Sequence, residues 1–223
     1  MHLIIISSPS GGGKSTICKM LMQGENSPIF EKAEFSISVT TRQKRTHETN
    51  GKEYHFVTRQ EFEEMIKNNE FLEWAEIFGN LYGTLKKNIS KTKHTLFDID
   101  FQGHKQIINS KLPNVLSIFL LPPSIETLKQ RLETRGDISN EIICRRIAGA
   151  NLEIASASSY DFIIVNQQIE NTFQMCVDVI NQAIFNKKTQ NLQNILEITN
   201  KIKNIDCSNI DFYLKEALKV SNL

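Results

Sequence analysis

Four short runs of apolar, largely β-branched residues recur along the chain, and each has the length and composition of a buried strand. They lie at Leu3 to Ser7, Thr95 to Ile99, Val115 to Leu121 and Phe162 to Val165. Apolar residues at helical spacing lie between the last three runs, and a Pro-Pro pair follows the third. Strands that alternate with helices predict an α/β fold with a parallel sheet flanked by helices.

The segment 35–89 has a different pattern and predicts a small inserted α+β lobe. Phe35 to Val39 alternates like a strand, and Glu70 to Phe78 again has strand-like composition. Between them, Thr58 and Glu61 form a capping box that predicts the start of a helix. The core domain is then expected over 1–34 and 90–186.

Two further segments depart from the core pattern. The polar stretch Arg135 to Asn140, followed by Arg145-Arg146, predicts a mobile lid over 131–147. After Phe185 the composition shifts to Lys, Asn and Gln, with apolar residues at helical spacing, which predicts a helical C-terminal extension over 187–223. The extension could cap the core, mediate self-association or bind another protein, and the sequence leaves these three roles open.

Composition limits the class of partner. The chain has 223 residues, with 26 Lys and Arg against 25 Asp and Glu. A net charge of +1 gives no general attraction to nucleic acid or to an anionic membrane, so we expect neither as a partner. No apolar run is long enough for a membrane span or a signal peptide, which predicts a cytoplasmic protein. Four scattered cysteines without C-x-x-C spacing predict reduced thiols.

The first strand leads directly into a glycine-rich loop, Ser8-Pro9-Ser10-Gly11-Gly12-Gly13-Lys14-Ser15-Thr16. Such a stretch can be a plain tight turn, but the order strand, loop and helix favours a phosphate-binding loop for a nucleoside triphosphate. Backbone N–H groups would surround the phosphates, Lys14 would reach the β- and γ-phosphates, and Ser15 would bind Mg²⁺. Ser8 stands where the pattern G-x-x-x-x-G-K-S/T has its first glycine.

The insert carries a second group of polar residues. Arg42 and Arg45 follow three hydroxyl residues at the end of a predicted strand. Two guanidinium groups suit a phosphate monoester, although a solvated surface cluster would have the same composition. Tyr54 and Tyr82 add phenol donors, and Gly83 permits close approach.

Carboxylates mark two further positions. Glu73, within an apolar segment, either points to solvent or accepts the paired N–H donors of guanine. Asp98 and Asp100 lie on the same side of an extended chain, at a strand end that commonly faces Mg²⁺ or a substrate. Two solvated aspartates at a strand end remain the alternative.

Several segments together resemble guanylate kinase, the GMP kinase of the P-loop nucleoside monophosphate kinases. The resemblance covers about residues 3 to 186 and depends on the order and spacing of seven short motifs. These are S-I-S-V-T-T-R-Q-K-R, N-G-K-E-Y-H-F at Asn50 to Phe56, N-N-E-F-L-E-W-A at Asn68 to Ala75, Y-G at Tyr82-Gly83, D-I-D-F-Q-G at Asp98 to Gly103, R-L-E-T-R-G at Arg131 to Gly136 and I-V-N at Ile164 to Asn166.

The resemblance implies a role for each matching residue. The guanine of GMP would be read by Ser38, Glu73, Thr84 and Asp100, and we place Asp98 in the GMP site with them. The GMP phosphate would be held by Arg42, Arg45, Tyr54 and Tyr82. ATP would be held by Ser10, Gly11, Gly12, Gly13, Lys14, Ser15, Thr16 and Arg135, with Asn166 near the adenine. The catalytic cations would be Lys14, Arg42, Arg135 and Arg146, with Mg²⁺ on Ser15.

The implied activity is transfer of the γ-phosphoryl group of ATP to GMP, and to dGMP, in purine nucleotide metabolism. The chain departs from the family at Ser8, at Gln167-Gln168, where acidic residues are common, and in the long extension. One alternative is an inactive guanylate-kinase-like module that binds proteins. Another is a P-loop kinase for a different phosphorylated acceptor.

Overall fold

A parallel sheet organises the computed structural model, which describes residues 1–46, 48–134, 139–187, 189 and 192–222. Within these ranges the sheet has the order β2-β7-β1-β8-β9, and all neighbouring strands run parallel. The strands are β1 (Leu3–Ser7), β2 (Ala33–Phe35), β7 (His94–Asp98), β8 (Val115–Leu121) and β9 (Phe162–Val165). The predicted α/β class and parallel sheet are confirmed.

Helices cover both faces of this sheet, so its central strand is buried on both sides. Ile4 and Ile6 of β1 join a core with α1 (Lys14–Gln23) and α6 (Ile169–Phe185). Ile5 faces the opposite core. That second core includes residues from α3 (Phe101–Asn109), α4 (Ile125–Thr134) and α5 (Asn140–Ala155).

The insert forms its own small sheet with the order β4-β3-β6-β5. Its elements are β3 (Val39–Thr40), β4 (His55–Phe56), α2 (Arg59–Lys67), β5 (Phe71–Ile77) and β6 (Asn80–Leu85). Phe62 of α2 stacks on Phe71 of β5 with ring centroids 4.3 Å apart, at the centre of a separate apolar cluster. The predicted capping box of Thr58 and Glu61 is present at the start of α2.

The alternating run from Phe35 to Val39 is not one strand. Phe35 pairs with Leu96 in the core sheet, whereas Val39 pairs with Gly83 in the insert sheet. Between them the chain crosses from one sheet to the other, and Asn88 Nδ2 donates to the Ile37 carbonyl at 2.9 Å. Because alternation is the same in both sheets, the sequence pattern does not reveal this division.

The C-terminal extension packs onto the core as α7 (Leu192–Lys203) and α8 (Ile210–Ser221). Thr199 of α7 accepts a hydrogen bond from the Ile163 N–H of β9 at 3.1 Å, so it satisfies a backbone donor of the sheet's edge strand. Leu214 of α8 is 1% exposed within the same core as β1. Of the three roles that the sequence leaves open, the structure therefore displays the first, capping of the core.

The four cysteines are divided between the core and the surface. Cys18 and Cys176 are buried, Cys144 and Cys207 are exposed, and all four are free thiols. Across the described ranges, no helix combines the length and the hydropathy needed to span a bilayer.

We predict that Leu214→Ala destabilises the whole protein by about 2–5 kcal/mol, because it leaves a cavity in the main core. Phe212→Ala, two residues away on α8, removes a larger side chain that is 53% exposed and should cost about 0.5 kcal/mol or less. Chemical denaturation of both variants provides the measurement. Equal effects would mean that α8 does not pack on the core in solution.

Candidate active site

The glycine-rich loop follows β1 and leads directly into α1, in the predicted order. Gly11 and Gly13 adopt φ values of +89° and +94°, which glycine adopts without a steric penalty. The Gly12 N–H donates to the Pro9 carbonyl at 2.8 Å and closes the turn. Since α1 begins at Lys14, its unpaired first-turn N–H groups lie at the loop, where they favour an anion.

Ser8 fits this loop because Gly12 has no side chain. The Ser8 side chain is buried, and a Cβ on Gly12 would lie only 2.7 Å from the Ser8 Cβ. The Ser8 hydroxyl donates to the Pro9 carbonyl at 3.0 Å. The departure from the usual glycine is thus accommodated by its neighbour four residues later, and the loop closes around it.

Asp98 joins the two functional side chains of the loop. Its carboxylate forms an ion pair with Lys14 Nζ at 3.0 Å and accepts a hydrogen bond from Ser15 Oγ at 2.7 Å. The register of the sheet explains this contact, because Ile6 at the end of β1 pairs with Asp98 at the end of β7. Burial alone would lower the pKa of Lys14, but the charge of Asp98 outweighs it and raises that pKa above the ordinary value. Lys14 is therefore a cation at every physiological pH.

The arginine cluster of the insert is held by an acidic residue. Glu48 is 6% exposed and binds Arg42 through two hydrogen bonds, Nη2 to Oε1 at 2.7 Å and Nη1 to Oε2 at 3.0 Å. The backbone N–H of Arg45 donates to the same carboxylate at 2.8 Å. Burial opposes ionisation of Glu48, but the bond from Arg42 prevails and lowers its pKa.

Two phenols lie next to this cluster. Tyr54 and Tyr82 meet edge to face with ring centroids 5.9 Å apart, and the Arg42 guanidinium lies 5.4 Å from the Tyr54 ring centre. Burial raises the pKa of Tyr54 to about 12, so its hydroxyl stays a donor. Both phenols line the same cleft as Lys14.

Glu73 occupies the inner end of the insert and points towards the core. It follows an irregularity in β5 and pairs with Thr84 of β6. The side chain is 4% exposed, and this burial raises the pKa of Glu73 to about 7. The Thr84 hydroxyl opposes the shift without completing a hydrogen bond of ordinary geometry, and the charge of Asp100 adds to the shift. The carboxyl group is therefore poised between its neutral and ionised forms.

Helix α3 provides the other wall of this corner. Asp100 caps the helix and accepts a hydrogen bond from the Gly103 N–H at 2.9 Å. A Cβ on Gly103 would collide with the Glu73 carboxylate, so only glycine lets the carboxylate approach the helix so closely. Gln106 fixes β5 against α3, since its amide binds both the N–H (3.2 Å) and the carbonyl (2.7 Å) of Trp74.

Helix α5 closes the cleft from the third side. Arg146 Nη1 donates to Ser10 Oγ of the loop at 3.3 Å. Glu153 lies seven residues later, on the same helix face, and also lines the cleft. Burial raises the pKa of Glu153 to about 7, although the charge of Lys14 opposes this. Phe78, at the tip of the β5–β6 hairpin, approaches Gly149 of α5 and connects the insert to this helix across the opening.

Asn166 lies beneath the loop rather than along the cleft wall. Its side chain is 1% exposed, donates to the Gly12 carbonyl at 2.7 Å and accepts from Thr172 Oγ1 at 2.9 Å. The Asn166 amide thus supports the glycine-rich loop from beneath. Asn166, predicted to lie near the adenine, is thus buried against the loop.

Comparison with known proteins places this geometry in a family. A family model described as guanylate kinase matches residues 1–183. The chain belongs to the guanylate kinase family. The match ends just before α7, so the extension lies outside the part that the guanylate kinase model covers.

Individual guanylate kinases support the same conclusion. The guanylate kinase of Brucella melitensis is 42% identical over 184 residues, which cover 80% of this chain and 81% of that protein. That of Carboxydothermus hydrogenoformans is 39% identical over 199 residues, 87% of this chain and 95% of that protein. The crystal structure of guanylate kinase from Anaplasma phagocytophilum matches with a TM-score of 0.66 and 34% identity, covering 88% of this chain and 93% of that one.

The structure brings most of the predicted site residues of this guanylate kinase family member into one cleft. Its lining includes Ser10, Gly11, Gly13, Lys14, Ser15, Ser38, Tyr54, Glu73, Tyr82, Asp98, Asp100 and Arg146. Gly12 and Thr16 belong to the same loop and helix start, Arg42 lies beside the lining residue Tyr54, and Thr84 pairs with the lining residue Glu73. Arg45 is linked to Arg42 through Glu48, which accepts its backbone N–H. Arg135, and with it the centre of the predicted lid, lies outside the described residues.

Sequence reasoning did not identify Glu48, Glu153 or Phe78. Glu153 had a usable signal, because it follows Arg146 at a spacing of two helical turns. Glu48 had none, since it is one charged residue in a polar stretch, and its burial arises only when the loop folds back on Arg42. Asp98, predicted as a GMP contact, lies against Lys14 and Ser15, which places it on the loop side of the cleft.

We predict a pH-dependent effect of Glu73→Gln on stability. Because folding raises the pKa of Glu73 from 4.5 to about 7, the unfolded chain loses this proton first, and stability falls as the pH rises through that window. Glutamine does not titrate, so the variant should gain stability relative to the parent between pH 5 and pH 8, on the order of 3 kcal/mol. Denaturation at both pH values measures the gain, and a pH-independent difference would contradict the raised pKa.

Proposed function

We propose that this guanylate kinase family member transfers the γ-phosphoryl group of ATP to GMP, giving ADP and GDP. One observation supports the proposal most directly: a loop of the phosphate-binding type and the buried carboxyl group of Glu73 line the same cleft. The first suits a triphosphate donor and the second a guanine acceptor. Neither feature alone would specify both substrates.

The ATP half-site is assigned to the loop and its flanking cations. The loop N–H groups and Lys14 would hold the β- and γ-phosphates. Arg146, which donates a hydrogen bond to Ser10 of the loop, would neutralise charge on the transferring group. Arg135 is proposed for the same role because of the family resemblance. Asn166 would act by holding the Gly12 carbonyl, and hence the shape of the loop.

The GMP half-site is assigned to the insert. Arg42 and Arg45, with Tyr54 and Tyr82, would bind the phosphate through charged and phenolic donors. Glu73, with Ser38, Thr84 and Asp100, would accept the guanine ring N–H and exocyclic amine. Adenine offers an acceptor at that ring position and would leave the carboxylate unmatched, at a cost of about 1–3 kcal/mol. The same chemistry would accept dGMP, because none of these contacts depends on the sugar.

The residues present also fit Mg²⁺. Ser15 and Asp98 offer a hydroxyl and a carboxylate oxygen side by side, which is the hard oxygen donor set that Mg²⁺ takes together with substrate phosphates. When bound with ATP, Mg²⁺ would offset the charge of the phosphates. Asp98 is therefore proposed as a contact of the metal as well as a neighbour of GMP.

The reaction needs no covalent intermediate on the protein. A phosphate oxygen of GMP attacks the γ-phosphorus in line with the leaving oxygen of ADP, and the protein supplies position and charge. Lys14 and the arginines stabilise the charge spread over the transferring group. Exclusion of water matters because water is a competing acceptor, and the Phe78 contact to α5 narrows the opening of the cleft.

Two other functions are less compatible with the site. A protein-binding module without catalysis does not require a loop with Lys14 ion-paired to Asp98 or Arg146 placed against Ser10. A kinase for another phosphorylated acceptor does not require a buried Glu73 next to Asp100. A coupled assay with GMP, AMP, UMP and ribose 5-phosphate as acceptors tests both. No transfer, or equal transfer to AMP, would contradict the proposal.

We predict that Lys14→Ala abolishes phosphoryl transfer while GMP binding stays within about twofold of the parent, because Lys14 contacts the triphosphate. Steady-state turnover and calorimetric GMP titration give the two readouts. As a matched control, Lys19→Ala changes an exposed lysine of the same helix and should leave both unchanged. Turnover like that of the parent in the Lys14 variant would contradict the loop assignment.

We further predict that Gly103→Ala raises the KM for GMP about tenfold or more and leaves the KM for ATP nearly unchanged. The new methyl group would displace the Glu73 carboxylate from its position against α3. Gly149→Ala is the control, since a Cβ there meets the Phe78 ring at 3.4 Å, an ordinary contact. If the two variants behave alike, the position of Glu73 does not determine GMP affinity.

A further inference from the structure

We propose that Glu48 is a positioning residue for the acceptor phosphate: it fixes Arg42 so that one edge of the guanidinium group is presented to GMP. The inference deepens the proposed function, because it assumes that Arg42 binds the GMP phosphate. It concerns a residue that contacts no substrate in this scheme. Its effect would pass entirely through Arg42 and, to a lesser degree, Arg45.

The hydrogen bonds of Arg42 leave a defined part of its guanidinium group available. An arginine has five N–H donors. One Nη1 hydrogen binds the Gln43 carbonyl at 2.8 Å, the other binds Glu48 Oε2, and one Nη2 hydrogen binds Glu48 Oε1. Within the described residues, the Nε hydrogen and the second Nη2 hydrogen make no further hydrogen bond, and they lie side by side on the lateral edge. That edge has the spacing for two parallel bonds to a phosphate.

Ring contacts restrain the same group from a different direction. The Arg42 guanidinium carbon lies 5.4 Å from the ring centre of Tyr54 and 5.6 Å from that of Phe56. Tyr54 lines the cleft, so the stacked guanidinium lies next to the space that a substrate would enter. Arg42 can therefore keep its bonds to Glu48 while its lateral edge binds an anion.

Glu48 also connects the two arginines of the cluster. Its Oε2 accepts the Arg45 backbone N–H at 2.8 Å, so one carboxylate binds both the Arg42 side chain and the backbone at Arg45. Glu48 is 6% exposed, and although burial opposes its ionisation, the hydrogen bonds from Arg42 and Arg45 lower its pKa. A buried carboxylate in this position is costly unless it is paired, which means that the pairing is maintained before substrate arrives.

Preorganisation explains why this arrangement would help catalysis. A free arginine side chain loses rotational freedom when it binds a ligand, and that loss weakens binding. Since Glu48 already fixes Arg42, this loss occurs on folding rather than on GMP binding. Removing the carboxylate charge should therefore weaken binding of the GMP phosphate while the guanine contacts and the ATP site remain intact.

The test compares Glu48→Gln with Glu53→Gln. Glu53 is a matched control, because its carboxylate also accepts a backbone N–H in the same segment, that of Thr49 at 2.7 Å, but binds no arginine within the part of the chain that the structure describes. We expect Glu48→Gln to raise the KM for GMP about tenfold, with the KM for ATP changed by less than about twofold. Because Arg42 is also among the proposed catalytic cations, kcat should fall, but by a smaller factor than that KM rises. The control should leave all three constants near those of the parent.

A second ligand distinguishes the positioning role of Glu48 from a merely structural one. Guanosine lacks the phosphate, so its inhibition constant reports only on the base and sugar contacts. The proposal requires that Glu48→Gln weakens GMP binding at least fivefold more than guanosine binding. If the variant is too unstable to assay, Glu48→Asp keeps the charge but shortens the side chain, and the same GMP-to-guanosine criterion applies to it.

Combination with Arg42→Ala distinguishes failure of the inference from failure of the proposed function. If Arg42→Ala alone leaves the KM for GMP unchanged, the phosphate assignment of the proposed function is wrong. If Arg42→Ala raises that KM and Glu48→Gln does not, only the positioning role is wrong. The proposal predicts that Glu48→Gln adds no further increase once Arg42 is absent, because both changes remove one interaction.

Discussion

The contact of Asp98 with Lys14 and Ser15 is the constraint from which the geometry of the cleft follows. It depends on the register of two parallel strands, because β1 and β7 end at the same edge of the sheet with Ile6 opposite Asp98. The loop after β1 and the acidic residue after β7 therefore meet without any long-range adjustment. Successive side chains of a strand lie on opposite faces, so a one-residue shift of this register would turn Asp98 away from Lys14 and Ser15.

Glycines without side chains determine how closely the walls of the cleft approach each other. Gly12 makes room for Ser8, and Gly103 makes room for the Glu73 carboxylate. In each case the space is filled by a polar group that would otherwise lie elsewhere. The loop and the Glu73–Gly103 contact are thus built in the same way: a polar side chain packs against the backbone of a glycine. This explains why the fold accommodates Ser8 at the position where the loop pattern has a glycine. A side chain at Gly12 or Gly103, in contrast, would clash with its neighbours.

The sequence predicted four of the five core strands that the structure describes, the α/β class and most of the cleft residues, since these features are local. It did not predict the edge strand β2. Strand periodicity, the capping box of Thr58 and the glycine-rich loop each depend on a few neighbouring residues. The division of the run from Phe35 to Val39 between two sheets was not predictable, because alternation does not say which sheet a strand joins. Glu48 was hidden for a similar reason: only the folded loop brings it to Arg42. The packing of α7 on β9 likewise depends on Thr199 meeting a strand edge 36 residues earlier in the chain.

Four of the acidic side chains in and beside the cleft fall into two electrostatic classes. Asp98 and Glu48 are paired with Lys14 and Arg42, so each holds a cation in place where phosphates would bind. Among the described residues, no cation forms an ion pair with Glu73 or Glu153, and burial raises the pKa of each to about 7. An ionised Glu73 without a partner would be costly, but the two N–H donors of guanine would supply the missing hydrogen bonds and favour the ionised form. Binding of GMP near neutral pH would then release a proton from this corner of the cleft, whereas the phosphate end, with its charges already paired, would remain unchanged.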